Sequence, residues 1–161
     1  MKILGIDPGT AIVGWAIVEE IKGRVTPLAY GHISTSKDKR LSERLLEIAK
    51  DLTEIIRQHR PDEASVEELF FFKNVTTVMS VSQARGAILL TLETLRVRMF
   101  EYTPLQVKQS LTGYGRAEKK QVQMMVKNIL KLDHIPKPDD TADALALALC
   151  HINSRKMNLT S

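Results

Sequence analysis

The sequence predicts an α/β fold in which a five-stranded mixed sheet is flanked by helices. Short apolar segments bounded by Pro and Gly residues are typical of strands, and five such segments precede Thr103. Longer segments with apolar residues three and four positions apart are typical of amphipathic helices. The two kinds of segment follow one another in the order βββαβαβααα, which favours a mixed sheet over an all-α or all-β fold.

The first half of the chain supplies four of the predicted strands and one helix. Short turns at Pro8-Gly9 and Lys22-Gly23 predict that the first three strands form an antiparallel meander. Apolar residues then recur at helical spacing from Leu41 to Ile56, and this helix ends before Pro61. The predicted strands of this half span residues 2–6, 12–18, 28–35 and 63–67.

The second half is predicted to be mostly helical. Thr103 is placed to cap a short helix that opens on Pro104, because proline is favoured at the first helical position. The small residues of Gln83-Ala84-Arg85-Gly86-Ala87 would permit close helix contact. Longer helices are predicted over residues 76–96, 117–130 and 140–153, a strand over 99–102 and a loop over 113–116.

The composition predicts one domain without a membrane segment. A chain of 161 residues, 43% hydrophobic and 26% charged, is long enough for a single core. We therefore expect one domain over residues 1–155 and a frayed tail over 156–161. No apolar run is long enough for a signal peptide or a membrane span, and the single Cys150 is typical of a reducing compartment. These features predict a cytoplasmic protein.

The charge distribution favours a polyanionic partner. The chain has 23 Lys and Arg against 19 Asp and Glu, and four of those acids are site candidates. The basic excess is concentrated between residues 96 and 131. Nucleic acid is the commonest polyanion for such a stretch, although a solvated helix face would explain the charge alone.

Four carboxylates are the strongest candidates for a site. Asp7 ends an apolar strand before a Pro-Gly turn, and Glu67 ends the strand at 63–67. Asp140 and Asp143 stand three residues apart where a helical pattern begins, so both face one side of that helix. Together the four predict a divalent-metal site.

The predicted ligands are all oxygen atoms, which favours Mg²⁺, with Mn²⁺ as a substitute, over zinc. Two such ions about 4 Å apart would activate a water and stabilise the leaving oxygen in phosphodiester hydrolysis. Each acid also has a simpler interpretation. Asp140 or Asp143 would suit a helix N-terminus, Asp7 would suit the Pro-Gly turn, and Glu67 would suit an exposed strand end.

A competing interpretation of Asp7-Pro8-Gly9-Thr10 is the phosphate hairpin of actin-like ATPases and sugar kinases. Those proteins need two such domains and a second nucleotide loop. The 161 residues contain no other Gly-rich phosphate turn, so this interpretation is disfavoured.

Several short motifs occur in a fixed order between residues 3 and 152. They are Leu4-Gly5-Ile6-Asp7-Pro8-Gly9, Glu67 to Phe70 with Lys73-Asn74, Gln83-Ala84-Arg85-Gly86, Gln106-Val107-Lys108-Gln109, Ala117-Glu118-Lys119, and Asp140 with Asp143-Ala144-Leu145-Ala146. In this set and order they resemble the RuvC family of bacterial Holliday junction resolvases, which are crossover junction endodeoxyribonucleases.

The resemblance implies a ribonuclease H-like fold. It also implies a homodimer that binds a four-way DNA junction and nicks two like strands, in cooperation with the RuvA-RuvB branch-migration complex. The family's four catalytic, metal-binding acids fall on Asp7, Glu67, Asp140 and Asp143, with Mg²⁺ or Mn²⁺ as cofactor. A two-fold dimer is a physical match to a reaction that needs two equivalent cuts.

The resemblance and the local basicity together give candidate DNA-binding residues. Two family lysines fall on Lys108 and Lys119, and a family aromatic that meets unstacked bases falls on Phe70, although Phe71 or Phe72 would serve equally. Glu68 departs from the glutamine usual in the family, and Asp139 is interpreted as a cap rather than a ligand. The full candidate set is Phe70, Lys73, Asn74, Lys108, Arg116, Lys119 and Lys120.

Two other functions stay open at this point. One is a related nuclease that acts on RNA or on another branched DNA. The other is a junction-binding module that does not cut, although four acids facing phosphate would weaken such a module.

Overall fold

The computed structural model describes residues 1–68 and 75–159 and contains five strands and five helices there. Strands and helices follow one another in the order that the hydrophobic periodicities predicted. Their bounds are β1 (Lys2–Asp7), β2 (Ile12–Ile21), β3 (Arg24–Ser34), α1 (Leu41–His59), β4 (Glu63–Glu67), α2 (Val75–Thr94), β5 (Arg98–Tyr102), α3 (Pro104–Thr112), α4 (Lys119–Leu130) and α5 (Asp139–Leu159).

The five strands form one mixed sheet in the order β3-β2-β1-β4-β5. β1 to β3 form the predicted antiparallel meander, whereas β4 pairs with β1 and β5 pairs with β4 in parallel. The parallel pairs require crossover connections, which α1 and α2 supply. β1 is therefore central, and its C-terminal end lies beside the C-terminal end of β4.

Successive side chains of the central strands point to opposite faces of the sheet, and each face has its own core. Ile3 packs with α3, α4 and α5, whereas Leu4 and Ile6 pack with α1 and α2. On β4, Ala64 and Val66 belong to the α1 and α2 side. By this alternation Asp7 and Glu67 point to the side that α5 covers.

Two glycines allow α5 to lie directly on the sheet. A Cβ atom on Gly5 would lie 2.0 Å from the Ala144 carbonyl oxygen, and one on Gly14 would lie 1.9 Å from the Asp140 carbonyl oxygen. Any larger residue would collide with the helix backbone. Because Gly14 is the register partner of Asp7, this approach places the first turns of α5 beside the end of β1.

The predicted α/β class and element order are confirmed, and the errors concern ends. Helix α5 begins at Asp139 instead of Asp140, so the interpretation of Asp139 as a cap outside the helix is wrong. The same helix continues to Leu159, past its predicted end at residue 153. Helix α4 begins at Lys119, two residues later than predicted, because Glu118 forms a capping box with Gln121.

The predicted start of α3 is confirmed in detail. Thr103 accepts a hydrogen bond from the Gln106 backbone N–H, Gln106 bonds back to the Thr103 N–H, and Pro104 opens the helix. Over the part of the chain that the structure describes, none of the helices has the length and apolar character needed to cross a membrane.

Candidate metal and DNA-cleavage site

The four candidate acids lie at neighbouring ends of three elements. Asp7 ends β1, Glu67 ends β4, and Asp140 and Asp143 occupy the first turns of α5. The negative charges of Glu67, Asp143 and Asp140 all act on Asp7. Residues separated by up to 136 positions in sequence are thus gathered at one edge of the sheet.

Crowding and burial make Asp7 hard to ionise. Burial raises its pKa most, the charges of Glu67, Asp143 and Asp140 raise it further, and Lys119 only partly opposes them, giving a pKa of about 9. An ordinary aspartate has a pKa near 3.8. The site therefore holds a proton near neutral pH unless a cation enters.

Glu67 and Asp143 show the same tendency. Burial and the charge of Asp143 raise the pKa of Glu67 to about 7, against the lowering effects of Lys119 and Lys108. Burial also raises the pKa of Asp143, although Lys119 hydrogen-bonds it. Carboxylates that repel one another in a shielded cleft are a frequent property of catalytic sites.

Lys119 supplies a positive charge in direct contact with one of these acids. Its Nζ donates a hydrogen bond to Asp143 Oδ2 at 2.8 Å and lies 3.7 Å from Asp139 Oδ2. Lys137 holds the other oxygen of Asp139 at 2.7 Å. Burial would lower the pKa of Lys119, but Asp143, Asp139 and Asp7 outweigh that effect and raise it. Lys119 therefore stays protonated.

A cleft of about 200 Å³ opens beside the acids. Apolar and charged side chains both line it, so that a phosphate or an ion entering it would meet lysines and carboxylates. The lining residues are Glu67, Pro104, Val107, Lys108, Lys119, Val122, Asp143, Ala146 and Leu147.

The donor set fits a hard divalent cation, because it consists of carboxylate oxygens without a thiolate. Within the described residues, no three Asp, Glu, His or Cys side chains are already arranged to hold one ion. Lys119 occupies an oxygen of Asp143 instead. Coordination of one ion by several of these acids would therefore require their side chains to reorient.

The structure separates the predicted DNA-binding residues into two groups. Lys108 and Lys119 line the cleft beside Glu67. Arg116 and Lys120 are exposed near the start of α4 and do not line it. Phe70, Lys73 and Asn74 lie outside the described residues.

Two contacts at the site were not predicted from the sequence. Asp139, interpreted only as a cap, bridges Lys137 and Lys119. Arg85 belonged to a quoted motif without a role, yet its Nε contacts the Glu67 carbonyl oxygen. The sequence around Asp139 does not indicate its contact with Lys119, and no spacing rule links Arg85 to Glu67.

A second polar network lies further along the same face of the sheet. His151 Nε2 is 2.8 Å from Glu63 Oε2, and His151 Nδ1 is 2.6 Å from the Tyr102 hydroxyl. Arg155 Nη1 lies 2.5 Å from both oxygens of Glu63. A neutral His151 that donates from Nε2 and accepts at Nδ1 satisfies every partner. The network therefore joins α5 to β4 and β5.

Comparison with known proteins identifies the family. Residues 3–151 match the family model described as crossover junction endodeoxyribonuclease RuvC. The chain belongs to the RuvC family. This family consists of nucleases that cut DNA at Holliday junctions and depend on metal ions.

Individual relatives agree with this assignment. The chain is 52% identical to the RuvC crossover junction endodeoxyribonuclease of Halothermothrix orenii, over 98% of this chain and 96% of that protein. The fold matches Thermus thermophilus RuvC with a TM-score of 0.91 and 37% identity, covering 98% of this chain and 97% of the other.

A structure of T. thermophilus RuvC in complex with a Holliday junction substrate is similarly close. Its TM-score is 0.93 at 35% identity, and the match covers 98% of this chain and 96% of that one. The RuvC resemblance and the ribonuclease H-like α/β fold predicted from the motifs are thereby confirmed.

Proposed function

We propose that this RuvC family member resolves Holliday junctions by hydrolysing two phosphodiester bonds at acid sites formed by Asp7, Glu67, Asp140 and Asp143. Each cut would leave a 5′-phosphate and a 3′-hydroxyl during recombination and repair. The observation that carries this proposal is the convergence of Glu67, Asp140 and Asp143 on Asp7, which gives Asp7 a pKa of about 9.

Mg²⁺, with Mn²⁺ as a substitute, is the proposed cofactor, with two ions in each site. When bound, such ions would supply an activated water and stabilise the leaving oxygen. The chain's own contribution is the oxygen donor set, the close approach of α5 to the sheet, and a cleft lined by apolar and charged side chains. Within that cleft Lys108 and Lys119 would orient the scissile phosphate and offset its negative charge.

The junction arms would be held by residues further from the acids. Arg116 and Lys120 are exposed cations beside the cleft, and we propose that they bind backbone phosphates. We keep the prediction that Phe70, Lys73 and Asn74 contact DNA at the crossover. Binding through several phosphates should weaken steeply as salt is added.

The proposed homodimer is supported by an unusual face of α2. Met79 and Leu90 are 61% and 68% exposed, and they share one side of the helix with Gln83 and Gly86. Among the described residues, nothing beyond the adjoining part of its own helix lies within 4 Å of a Cβ built on Gly86, so a second helix would find room there. A helix side with two exposed apolar residues and a glycine between them suits two copies of α2 packed together.

A charge placed on this side of α2 tests the dimer. Leu90→Glu should shift the protein from dimer to monomer in sedimentation and abolish paired nicking. Leu46→Glu is the matched control, because Leu46 is 54% exposed on α1, outside this face. Equal behaviour of the two variants would exclude this face as the dimer interface.

The remaining proposals concern context. We propose a cytoplasmic protein with one nuclease domain over residues 1–155, whose dimer cooperates with the RuvA-RuvB branch-migration complex.

A substrate panel tests the activity and separates it from the alternatives. Synthetic four-way DNA junctions, three-way junctions, linear duplexes and four-way RNA junctions are incubated with the protein in Mg²⁺ at equal concentration. The proposal expects paired nicks in the four-way DNA junction at a rate at least about a hundredfold above duplex. Faster cutting of RNA or three-way DNA would indicate a related nuclease, and binding without cutting would indicate a junction-binding module.

A further inference from the structure

Arg85 is a shielded cation that contacts the last residue of β4 from α2. Its side chain is 18% exposed. Its Nε donates to the Glu67 carbonyl oxygen at 3.4 Å, and its Nη2 forms an ion pair with Glu101 of β5. One guanidinium thus joins three elements of the fold.

The contact reaches Glu67 from behind the acid site. Met99 packs with the α1 and α2 core, so Glu101, two residues later, is on that same side of the sheet. Phe100 and Tyr102 instead meet His151 on the α5 side. Arg85 therefore holds the main chain of Glu67 from the side opposite its carboxylate.

Glu67 is the last residue of β4, so regular strand pairing ends at this position. One residue later, the Glu68 N–H donates a hydrogen bond to the Tyr102 carbonyl oxygen at 2.9 Å, which continues the pairing with β5. Arg85 holds the adjacent carbonyl of Glu67. A planar guanidinium can bind a carbonyl and a carboxylate at once, which a lysine ammonium does less well.

We infer that Arg85 is a positioning residue for the metal site, which fixes the end of β4 so that Glu67 meets the other three acids. This inference rests on the proposed function of the acids. It assigns Arg85 no contact with DNA or with the reacting atoms. Outer residues that orient metal ligands typically affect metal affinity or activity by about 10- to 100-fold.

The test uses three substitutions and a charge-matched control. Arg85→Gln removes the charge and the forked geometry, Arg85→Lys keeps the charge, and Glu101→Gln removes the ion pair but keeps the Glu67 contact. Arg57→Gln on α1 removes an equal charge at an exposed position remote from the acids. Mn²⁺ binding to the DNA-free protein is measured by calorimetry, and single-turnover cleavage of saturating four-way junction is measured against Mn²⁺ concentration.

Arg85→Gln should weaken Mn²⁺ binding and raise the half-saturating Mn²⁺ concentration for cleavage by about tenfold or more. For both quantities, Arg85→Lys should give values between those of Arg85→Gln and the unsubstituted chain. Glu101→Gln should give values close to those of the unsubstituted chain. Junction binding in EDTA should match that of Arg57→Gln. Mn²⁺ binding by Arg85→Gln and Arg85→Lys within twofold of Arg57→Gln would overturn the inference, as would a loss of thermal stability with unchanged metal dependence.

The two readouts separate this inference from the proposed function. If the unsubstituted chain binds Mn²⁺ but cuts no junction, the resolvase proposal fails while the calorimetry still decides the role of Arg85. If junctions are cut normally by Arg85→Gln at every Mn²⁺ concentration, only the positioning role fails.

Discussion

The carbonyl oxygen of Asp140 lies 1.9 Å from the position that a Cβ atom on Gly14 would occupy. Gly14 is also the register partner of Asp7. The absence of one side chain therefore sets how closely the acids of α5 approach the acid of β1.

Replacing Gly14 by alanine should separate the two halves of the site. Gly14→Ala forces the start of α5 away from the sheet, which should cost about 1–3 kcal/mol in the free energy of unfolding. Metal binding should weaken more than tenfold, since ligands on two elements no longer meet. Urea unfolding and Mn²⁺ calorimetry measure the two effects.

Gly31→Ala is the matched control for this substitution. Its Cβ would lie 3.4 Å from Trp15, which is an ordinary contact. Both readouts should change little. Similar losses in the two variants would show that any added methyl group disturbs the sheet and that Gly14 has no special relation to α5.

Metal binding should release protons near neutral pH. Because the pKa of Asp7 is about 9 and that of Glu67 about 7, both carboxyls hold protons that an entering cation displaces. Affinity for Mg²⁺ should therefore rise between about pH 6.5 and pH 9. Calorimetry in buffers of different ionisation enthalpy measures the released protons, and Asp7→Asn should release fewer. A pH-independent affinity would contradict the crowded, protonated site.

The same raised pKa has a consequence for the metal-free protein. An acid whose pKa is higher in the folded than in the unfolded state favours folding at low pH, and this contribution is lost as the pH rises from about 4 towards 9. The difference in unfolding free energy between Asp7→Asn and the unsubstituted chain should therefore grow with pH in EDTA. An excess of Mg²⁺ should reduce this difference.

Lys119 and Lys120 are adjacent but should affect different steps. Lys119 contacts Asp143 within the cleft, whereas Lys120 is exposed and outside it. Lys119→Met should lower single-turnover cleavage by about 10²–10³-fold with smaller effects on junction binding. Lys120→Met should mainly weaken junction binding, and the slope of log affinity against log salt concentration should fall by the equivalent of about one phosphate contact. Interchanged effects would contradict the assigned positions.

The network of His151 and Glu63 should make stability fall on acidification. Burial lowers the pKa of His151, so its contribution is present above the ordinary value of 6.5 and is lost as pH falls. Burial alone would raise the pKa of Glu63, but His151 and Arg155 outweigh it and lower the pKa, which adds a second loss below about 4.5.

Urea unfolding at pH 7.5 and 5.5 measures this contribution. At pH 7.5, His151→Gln should lower the free energy of unfolding by roughly 1–3 kcal/mol, as expected for a disrupted buried hydrogen-bond network. On acidification, the free energy of unfolding of His151→Gln should fall less than that of the unsubstituted chain. Equal pH dependence in the two proteins would show that His151 does not titrate between these values.

Local patterns were enough to predict the order of elements and where the four acids lie on them. Strand alternation and turn residues placed Asp7 and Glu67 at strand ends, and helical spacing put Asp140 and Asp143 on one face. Long-range contacts were not predictable in this way. The contact of Arg85 with the Glu67 carbonyl and the packing of α5 against Gly14 are tertiary contacts, which sequence periodicity does not predict.

The predicted ends of helices were wrong for a similar reason. The start of α4 is set by the capping box of Glu118 and Gln121, not by apolar spacing. Asp139 has a helical position and two lysine partners that its sequence neighbourhood alone did not reveal.

The most direct test is cleavage of a mobile four-way DNA junction in Mg²⁺ by the unsubstituted chain and by Asp7→Asn, each with and without EDTA. Asp51→Asn, an exposed change on α1, is the control. The unsubstituted and control proteins should make paired, ligatable nicks only with metal, whereas Asp7→Asn should bind the junction and make none. Cutting by Asp7→Asn at the normal rate, or in the presence of EDTA, would contradict the assignment of the acids as a metal-dependent catalytic centre.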